Sequence, residues 1–372
     1  MRFVMFYHSL VSDWNHGNAH FLRGICGALC RRGHVVTVFE PRDGWSRANL
    51  LADHGEAALA AFARAYPSLH SVPYGPDLDL GAALDGADVV LVHEWNDPEL
   101  VRRIGEHRRA GGRFHLLFHD THHRSVSDTG GIAAFDLGGY DGVLAFGASI
   151  RNRYLASGWA RRAWVWHEAA DISRFRPGEP DVAKDVDLIW IGNWGDGERQ
   201  AEIEEFLIEP VRTLGLAARV HGVRYPPSVQ ARLTAAGITY AGWLPNFEVP
   251  SAFARARVTV HIPRGPYVRE LPGIPTIRVF EALACGVPLI SAAWDDVETL
   301  FRPGRDYLVA ADGAAMRRHL GALLDDPVRA RAQAERGLET IRARHTCDHR
   351  VDELLAILRS LAEDDRVATP IM

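Results

Sequence analysis

Arg278 and Glu281 stand three residues apart in the run Leu271 to Ile290, LPGIPTIRVFEALACGVPLI, and the segment ahead of it, PRGPYVREL, carries Arg264, Tyr267 and Arg269. Pro272, Gly273 and Pro275 forbid a continuous helix up to that point, whereas Pro275 followed by Thr276 opens one well, because the pyrrolidine ring presets φ. The spacing predicts a helix beginning near Thr276, ended by Gly286 and Pro288 and followed by a buried strand from Leu289. Ile277, Val279, Phe280, Leu283 and Ala284 share its apolar face, and Arg278 and Glu281 form a polar stripe beside Ala282 and Cys285. Amides at a helix start, at the positive end of its dipole, suit a phosphate. A carboxylate one turn further in can accept hydrogen bonds from sugar hydroxyls, so the pattern fits a nucleotide. A buried helix with an ion-paired Glu281 and no ligand is the alternative this stretch leaves open.

A second set of reactive groups stands at two predicted strand ends. ADVVLVHEW closes on His93 and Glu94, and FHLLFHD closes on His119 and Asp120 before Thr121, His122 and His123. Histidines and carboxylates so placed suit acid–base chemistry, or else merely finish their strands. Imidazoles and a carboxylate this close could also ligate a metal. The sequence offers no second His/Asp cluster at a strand end to complete a shell of three or four ligands, and no metal is expected.

The elements that must position these groups alternate between strand and helix. Phe3 to Tyr7 reads as a strand, His8 to Gly17 as a polar loop, and Asn18 to Arg32 as a helix with Phe21, Leu22, Ile25 and Leu29 at helical spacing; Val35 to Phe39 is the next strand. Two parallel strands need a crossover between them, so this opening is a βαβ unit. Its first loop leaves the carboxyl end of a strand, where open α/β sheets bind ligands. A helical region from Leu50 to Ala65, strands Ala87 to His93, Arg113 to His119 and Gly142 to Phe146, and helices Pro98 to Arg109 and Ser149 to Ser157 continue the pattern. Gly178, Pro180 and a run of charge read as an interdomain linker. A second α/β pattern follows. It has strands from Val186, Arg219 to Val223, Ile238 to Trp243 and Val258 to Ile262, a helix from Asp196 or Gly197, and another over Pro227 to Ala236. His345 to Glu363 gives a last helix, with VATPIM expected to be loose behind it.

Length and composition bound the answer. The 372 residues suit two domains, and 47% hydrophobic with 24% charged residues is ordinary for a globular protein. A net charge of -5 gives no reason to expect nucleic acid as a partner. The chain shows no stretch of transmembrane length and no signal-peptide pattern at Met1, and Cys26, Cys30, Cys285 and Cys347 include no Cys-x-x-Cys pair, so a cytoplasmic protein with reduced thiols is expected.

Phe280-Glu281-Ala282-Leu283-Ala284-Cys285-Gly286-Val287-Pro288-Leu289-Ile290 resembles the Glu-Ala-x-Ala-x-Gly-x-Pro-Val segment of group 1 nucleotide-sugar-dependent glycosyltransferases with the GT-B fold. Pro275-x-x-Arg278-x-Phe280-Glu281 is similar to the branch of spore-coat maturation type. The resemblance implies α/β architecture with two Rossmann-like domains facing each other across a cleft. It implies an acceptor domain over 1–170, a nucleotide-sugar domain over 171–345 and a final helix, 346–372, crossing back. WVWHEAADISRFRP looks like the family's hinge at Asp171, Phe175 and Pro177. By the same resemblance Glu281 holds the donor ribose, His119 faces the donor sugar, and Gly17-Asn18 stands in an acceptor-side loop. The turn at Asn193 and Trp194 lies under the diphosphate, and Trp243 or Leu244 meets the base. Gly273 departs from the pattern, since many retaining members carry a glutamate there, which leaves the stereochemical outcome open.

The expected reaction is metal-independent transfer of a sugar from a nucleoside diphosphate, the co-substrate, to an unidentified acceptor, with no other cofactor. Amides from Gly273, Ile274, Pro275, Thr276 and Ile277 onward, a stretch in which the proline contributes only shape, and the guanidiniums of Arg264, Arg269, Arg278, Arg199 and Arg224 would stabilise the departing diphosphate. His93, Glu94, His119 and Asp120 are the candidates for a general base if the reaction inverts. Rival readings are a metal-dependent hydrolase built on His119 to His123, a nucleotide-sugar epimerase or sugar phosphorylase, and a binding protein without turnover. The basic helix bearing Arg102, Arg103, Arg108 and Arg109 offers weak peripheral membrane contact.

Overall fold

A computed structural model describes residues 1–368 apart from His16, Pro180 and Asp196, with residues 365–368 described as backbone. The expected helix start at Asp196 and the Thr369-to-Met372 part of the expected loose tail thus lie outside the described residues.

The chain divides into two compact units, Met1–Glu168 with the chain from Cys347 onward, and Ala169–Thr346. The first carries seven parallel strands in the order β3-β2-β1-β4-β5-β6-β7. They are β1 Arg2–Phe6, β2 Val35–Pro41, β3 Ser71–Tyr74, β4 Val89–His93, β5 His115–Asp120, β6 Gly142–Ala145 and β7 Ala163–Val165. The central strands are apolar without alternation, as strands covered on both faces must be, and Val4, Met5, Val90, Leu91, Leu116 and Leu117 are completely buried. The second carries six parallel strands in the order β10-β9-β8-β11-β12-β13. They are β8 Val186–Ile191, β9 Ala218–His221, β10 Ile238–Tyr240, β11 Ala256–His261, β12 Leu289–Ala292 and β13 Leu308–Ala310. Both sheets are Rossmann-like, and each reverses its strand order once, between β1 and β4 and between β8 and β11. Loops leaving the carboxyl ends of those strands diverge there and leave a crevice for a ligand.

Several elements differ from their sequence-based bounds. Leu50 to Ala65 is two helices, Trp45–His54 and Glu56–Ala65, parted at Gly55 with φ +66°. The helix after β8 starts at Gln200 and passes through a π-helical turn, Glu204–Ile208. The start of the expected hinge is strand β7, and PRGPYVREL contains a short helix, Gly265–Arg269. The last helix, Cys347–Ala368, packs on the first unit: Arg32 donates to the Asp348 carbonyl (2.9 Å) and Trp166 Nε1 to the Arg350 carbonyl (2.8 Å).

The loop after β1 is held by two buried charges. Glu40 accepts from the amides of Leu10 (2.7 Å) and Val11 (3.3 Å). Arg23, only 1% exposed, donates to the carbonyls of Leu10 (2.7 Å) and Val11 (2.9 Å) and pairs with Asp13 at 2.7 Å, while its guanidinium lies over Phe62 and Tyr66. Leu10, Val11 and Asp13 are therefore held in place. Breaking one side of a buried ion pair costs about 3–5 kcal/mol, so Arg23→Met should lower the urea midpoint by a corresponding amount, and adding Asp13→Asn should recover part of it.

Candidate functional site

In the second unit the Ile277–Ala284 helix starts where the proline-rich stretch ends. Thr276 has the extended backbone of an N-cap (φ -78°, ψ 162°), yet its side chain makes no capping bond to the helix. It bonds His261 instead. Ser291 Oγ donates to the Ala292 carbonyl (2.7 Å), so it must accept from His261 Nδ1 (2.8 Å). This fixes the tautomer: His261 Nε2 is the acceptor for the Thr276 hydroxyl at 3.1 Å. Burial first, then the Arg199 charge, hold the imidazole neutral, with its pKa lowered to about 3. The Val279 amide bonds the Thr276 carbonyl (3.1 Å), while the amides of Ile277 and Arg278 have no partner among the described residues. These are the groups an anion needs.

Positive charge gathers at the same end of the sheet. Arg199, nearly buried, donates to the Ile262 carbonyl (2.8 Å) and the Asn193 carbonyl (2.9 Å), lies over Trp190, and so joins the turn after β8 to the turn after β11 across the point of strand reversal. The Gly265 amide bonds the Glu198 carbonyl (3.3 Å) in parallel. Burial, and then the Arg264 guanidinium, lower the Arg199 pKa to about 9, with Arg278 adding to the repulsion. Arg264 pairs with Glu198 (3.3 Å) and Arg278 with Glu281, whereas Arg199 has no carboxylate at ion-pair distance among the described residues. Three guanidiniums with two carboxylates leave an unbalanced positive charge beside the open amides.

Glu281 is 0% exposed, pairs with Arg278, and accepts from Asn246 Nδ2 at 2.7 Å. Asn193 Oδ1 accepts from the Val223 amide (2.9 Å) and fixes its turn. The Trp194 side chain packs into the core against Tyr225, leaving its backbone at the turn. Trp243 and Leu244 are half-buried just ahead of Asn246. Arg269 is exposed with its guanidinium folded over Gly265, and Arg224 is exposed with φ +65°. Gly273 has φ +91°, and a Cβ there would lie 2.9 Å from Glu298 Oε1 and 3.0 Å from Val297 Cγ2. No side chain fits at 273, but a carboxylate from residue 298 reaches that place. Pro275 and Ile274 are buried beside it.

In the first unit the strand-end residues do meet, deep rather than at the surface. His93, His119 and Asp120 are at most 1% exposed. His119 shares a hydrogen bond between Nδ1 and the Tyr7 hydroxyl (2.7 Å), packs against Trp166, Phe21 and His93, and is lowered by burial to about 3. Its Nε2 is buried with no hydrogen-bond partner among the described residues. Asp120 accepts from Tyr154 (2.8 Å) and the His122 amide (3.0 Å). Burial raises both Asp120 and Glu94, and for Glu94 the Asp120 charge adds to it. His93 Nε2 bonds Thr121 Oγ1 (2.9 Å), which Asn18 Nδ2 also reaches; Asn18 follows Gly17 at the start of the Ala19–Arg31 helix. Among the described residues no group of three or more His, Cys, Asp or Glu could hold a metal ion, so the His119-to-His123 run does not converge as a ligand shell. On the Pro98–Arg109 helix, Arg102 is bracketed by Glu99 and Glu106.

Two parallel α/β sheets, each with side chains gathered where its strand order reverses, define the GT-B class of fold. Residues 199–356 match the family model described as glycosyl transferase-like. Solved structures with the same fold include the sucrose-phosphate synthase of Thermosynechococcus elongatus (15% identity, TM-score 0.66, 98% of this chain and 100% of that one). Anabaena HepE, solved with UDP and glucose, is similar at 14% identity and TM-score 0.65, covering 97% of this chain and 100% of that one. An alpha-glucosyltransferase solved with UDP and DNA containing an HMU base is similar at 12% identity and TM-score 0.71, covering 96% and 99%. No curated protein sequence matches. Residues 199–356 thus match a glycosyl transferase-like model, and the fold is one shared with glycosyltransferases.

If His261 keeps the Thr276 hydroxyl off its own helix, His261→Phe releases that hydroxyl to cap the Arg278 or Val279 amide. Hydrogen exchange at those amides should slow, and affinity for inorganic pyrophosphate should fall about tenfold. Adding Thr276→Val should restore both, because a valine cannot cap. His119 and His261, both neutral in the fold, bind fewer protons there than in the unfolded chain. Stability should accordingly fall as pH drops below about 6.5 toward 3, and His119→Phe should flatten that slope in denaturant titrations.

Proposed function

We propose that the chain is a glycosyltransferase that moves a sugar from a nucleoside diphosphate to an acceptor without a divalent ion. The observation that carries this is the uncapped start of the Ile277–Ala284 helix, with its own N-cap hydroxyl held elsewhere and three guanidiniums around it. The glycosyl transferase-like match over residues 199–356 supports it, as do neighbours solved with UDP, which makes UDP the first base to test. Cleavage of the anomeric bond builds positive charge on the sugar and negative charge on the diphosphate. The amides of Ile277 and Arg278 with Arg199, Arg264 and Arg278 stabilise the latter in a site already organised for it.

Glu281 accepts from the ribose hydroxyls, oriented for that by Asn246 and Arg278. His119 is assigned to the donor sugar through Nε2, which has no hydrogen-bond partner among the described residues. It is a hydrogen-bonding residue in this reading, since an imidazole lowered to about 3 is a poor base. Asp120 and Glu94, both buried, fasten the strand ends through the Tyr154 hydroxyl and the Thr121 amide. The acceptor proton then goes to the departing phosphate, which suits a retaining reaction. Glu298 supplies the carboxylate that Gly273 does not.

We assign residues 1–170 to the acceptor side, 171–345 to the donor side and the last helix to the first unit, with Gly17 and Asn18 in the acceptor loop. The motif Pro275-x-x-Arg278-x-Phe280-Glu281 favours the branch of spore-coat maturation type. Cys26, Cys30 and Cys285 form no disulfide, which fits a reducing cytoplasm, and no helix among the described residues is long and apolar enough to cross a membrane.

Titration with UDP-, GDP-, TDP- and CMP-sugars in chelator should give one binder. Glu281→Gln should weaken it about ten- to hundredfold, the cost of about 1.5–3 kcal/mol for a hydrogen bond to a charged group. His119→Ala should bind the donor normally and transfer slowly. Diphosphate affinity favours charged Arg199, so it should fall as pH rises past about 9. Unchanged donor affinity in Glu281→Gln, or a requirement for metal, would overturn the assignment.

A further inference from the structure

The first unit holds a second basic site that plays no part in the reaction above. A surface cavity of about 220 Å³ is lined by Arg108, Arg109, Arg161 and Arg162 with Gly139 and Asp141 among the remainder. It lies at the amino ends of β6 and β7 and beside the end of the Pro98–Arg109 helix, the opposite edge of the sheet from His93 and His119. We propose that it binds a phosphoryl-type anion.

Four arginines, from two pairs far apart in the chain, line one hollow. The carboxylates facing them do not balance the set. Asp141 stands 4.0 Å from Arg108 but already accepts from the Leu116 amide (2.8 Å) and lies 3.6 Å from His115 Nδ1. Asp136 reaches Arg109 at 3.6 Å, and Asp364 pairs with Arg162 at 2.8 Å. Arg161 has no ion pair among the described residues, and Arg108 Nε is buried without a hydrogen-bond partner. Like charges held this close repel unless an anion joins them. Guanidinium forks match phosphate oxygens in pairs, as ammonium groups do not.

The frame is built in advance. Gly139 sits so tightly on the Pro98–Arg109 helix that a Cβ would lie 2.4 Å from the Gly105 carbonyl oxygen, and the Tyr140 hydroxyl donates to the Val101 carbonyl (2.9 Å). Little ordering is left to do on binding. At about 220 Å³ the hollow is smaller than the roughly 300–1,000 Å³ that drug-sized ligands occupy, which selects a phosphate or pyrophosphate group over a whole nucleotide. That group could be free in solution or carried by a lipid headgroup at a membrane surface.

Isothermal titration of the full chain with inorganic phosphate and pyrophosphate, at fixed ionic strength, measures the first source. Flotation with phosphatidylglycerol against phosphatidylcholine vesicles measures the second. Saturable binding of free phosphate, or capture by phosphatidylglycerol alone, is expected. Arg161→Ala and the double variant Arg108→Ala/Arg161→Ala should weaken it at least tenfold, while Arg102→Ala, on the same helix outside the hollow, and Arg278→Ala, in the second unit, leave this site intact. No saturable binding in either arm, or equal binding by the double variant, overturns the proposal. Loss in Arg278→Ala with retention in Arg161→Ala does the same, because it places the anion in the second unit.

Discussion

A threonine hydroxyl bonded to the wrong neighbour governs the second unit. Helices ordinarily satisfy their first amides with the side chain of the N-cap, and Thr276 has the backbone for that role. His261, locked as an acceptor by Ser291, takes the hydroxyl instead. The helix start stays open, and the fold accepts a lost cap, typically about 1 kcal/mol, at the place where an anion can make it good. The Arg199 guanidinium works on the same principle, since it joins two turns through their carbonyls with no carboxylate at ion-pair distance among the described residues.

The two units use buried charge differently. In the first, Arg23 and Glu40 are matched to a loop, Asp120 accepts from the Tyr154 hydroxyl and Glu94 from the Thr121 amide, and these bonds rigidify the strand ends. In the second, Arg199 and the amides at Ile277 and Arg278 are left in need of a partner.

Much of this could be read from the chain. Proline and glycine around residues 272–288 mark the helix, its start and its end with little ambiguity, and the apolar runs of β1, β4, β5, β8 and β11 announce parallel strands. What escaped depends on tertiary meeting. Asn246 lies 35 residues from Glu281, and nothing in LPNFEVP signals their bond. His261 ends an ordinary strand, and its partners come from two other elements. The helices Gly313–Asp325 and Pro327–Arg344 did carry a signal: Asp312 caps the Ala315 amide (2.7 Å), and Asp326 caps Val328 and Arg329 ahead of Pro327. β3 is four residues with a proline in the third position, too short and too interrupted to stand out. The histidines at the strand ends were legible as a group, but their burial was not, because it depends on Tyr7, Phe21 and Trp166 arriving from elsewhere.

The central claim concerns two backbone amides, and amide hydrogen exchange reads them individually. The full chain is compared in the presence of a nucleoside diphosphate and of its parent nucleoside, each at saturation, with Ile277 and Arg278 followed by fragment-resolved exchange. Slowed exchange at those two positions with the diphosphate, and not with the nucleoside, is the predicted result. Binding of the diphosphate that leaves both amides exchanging as in the free protein would contradict it.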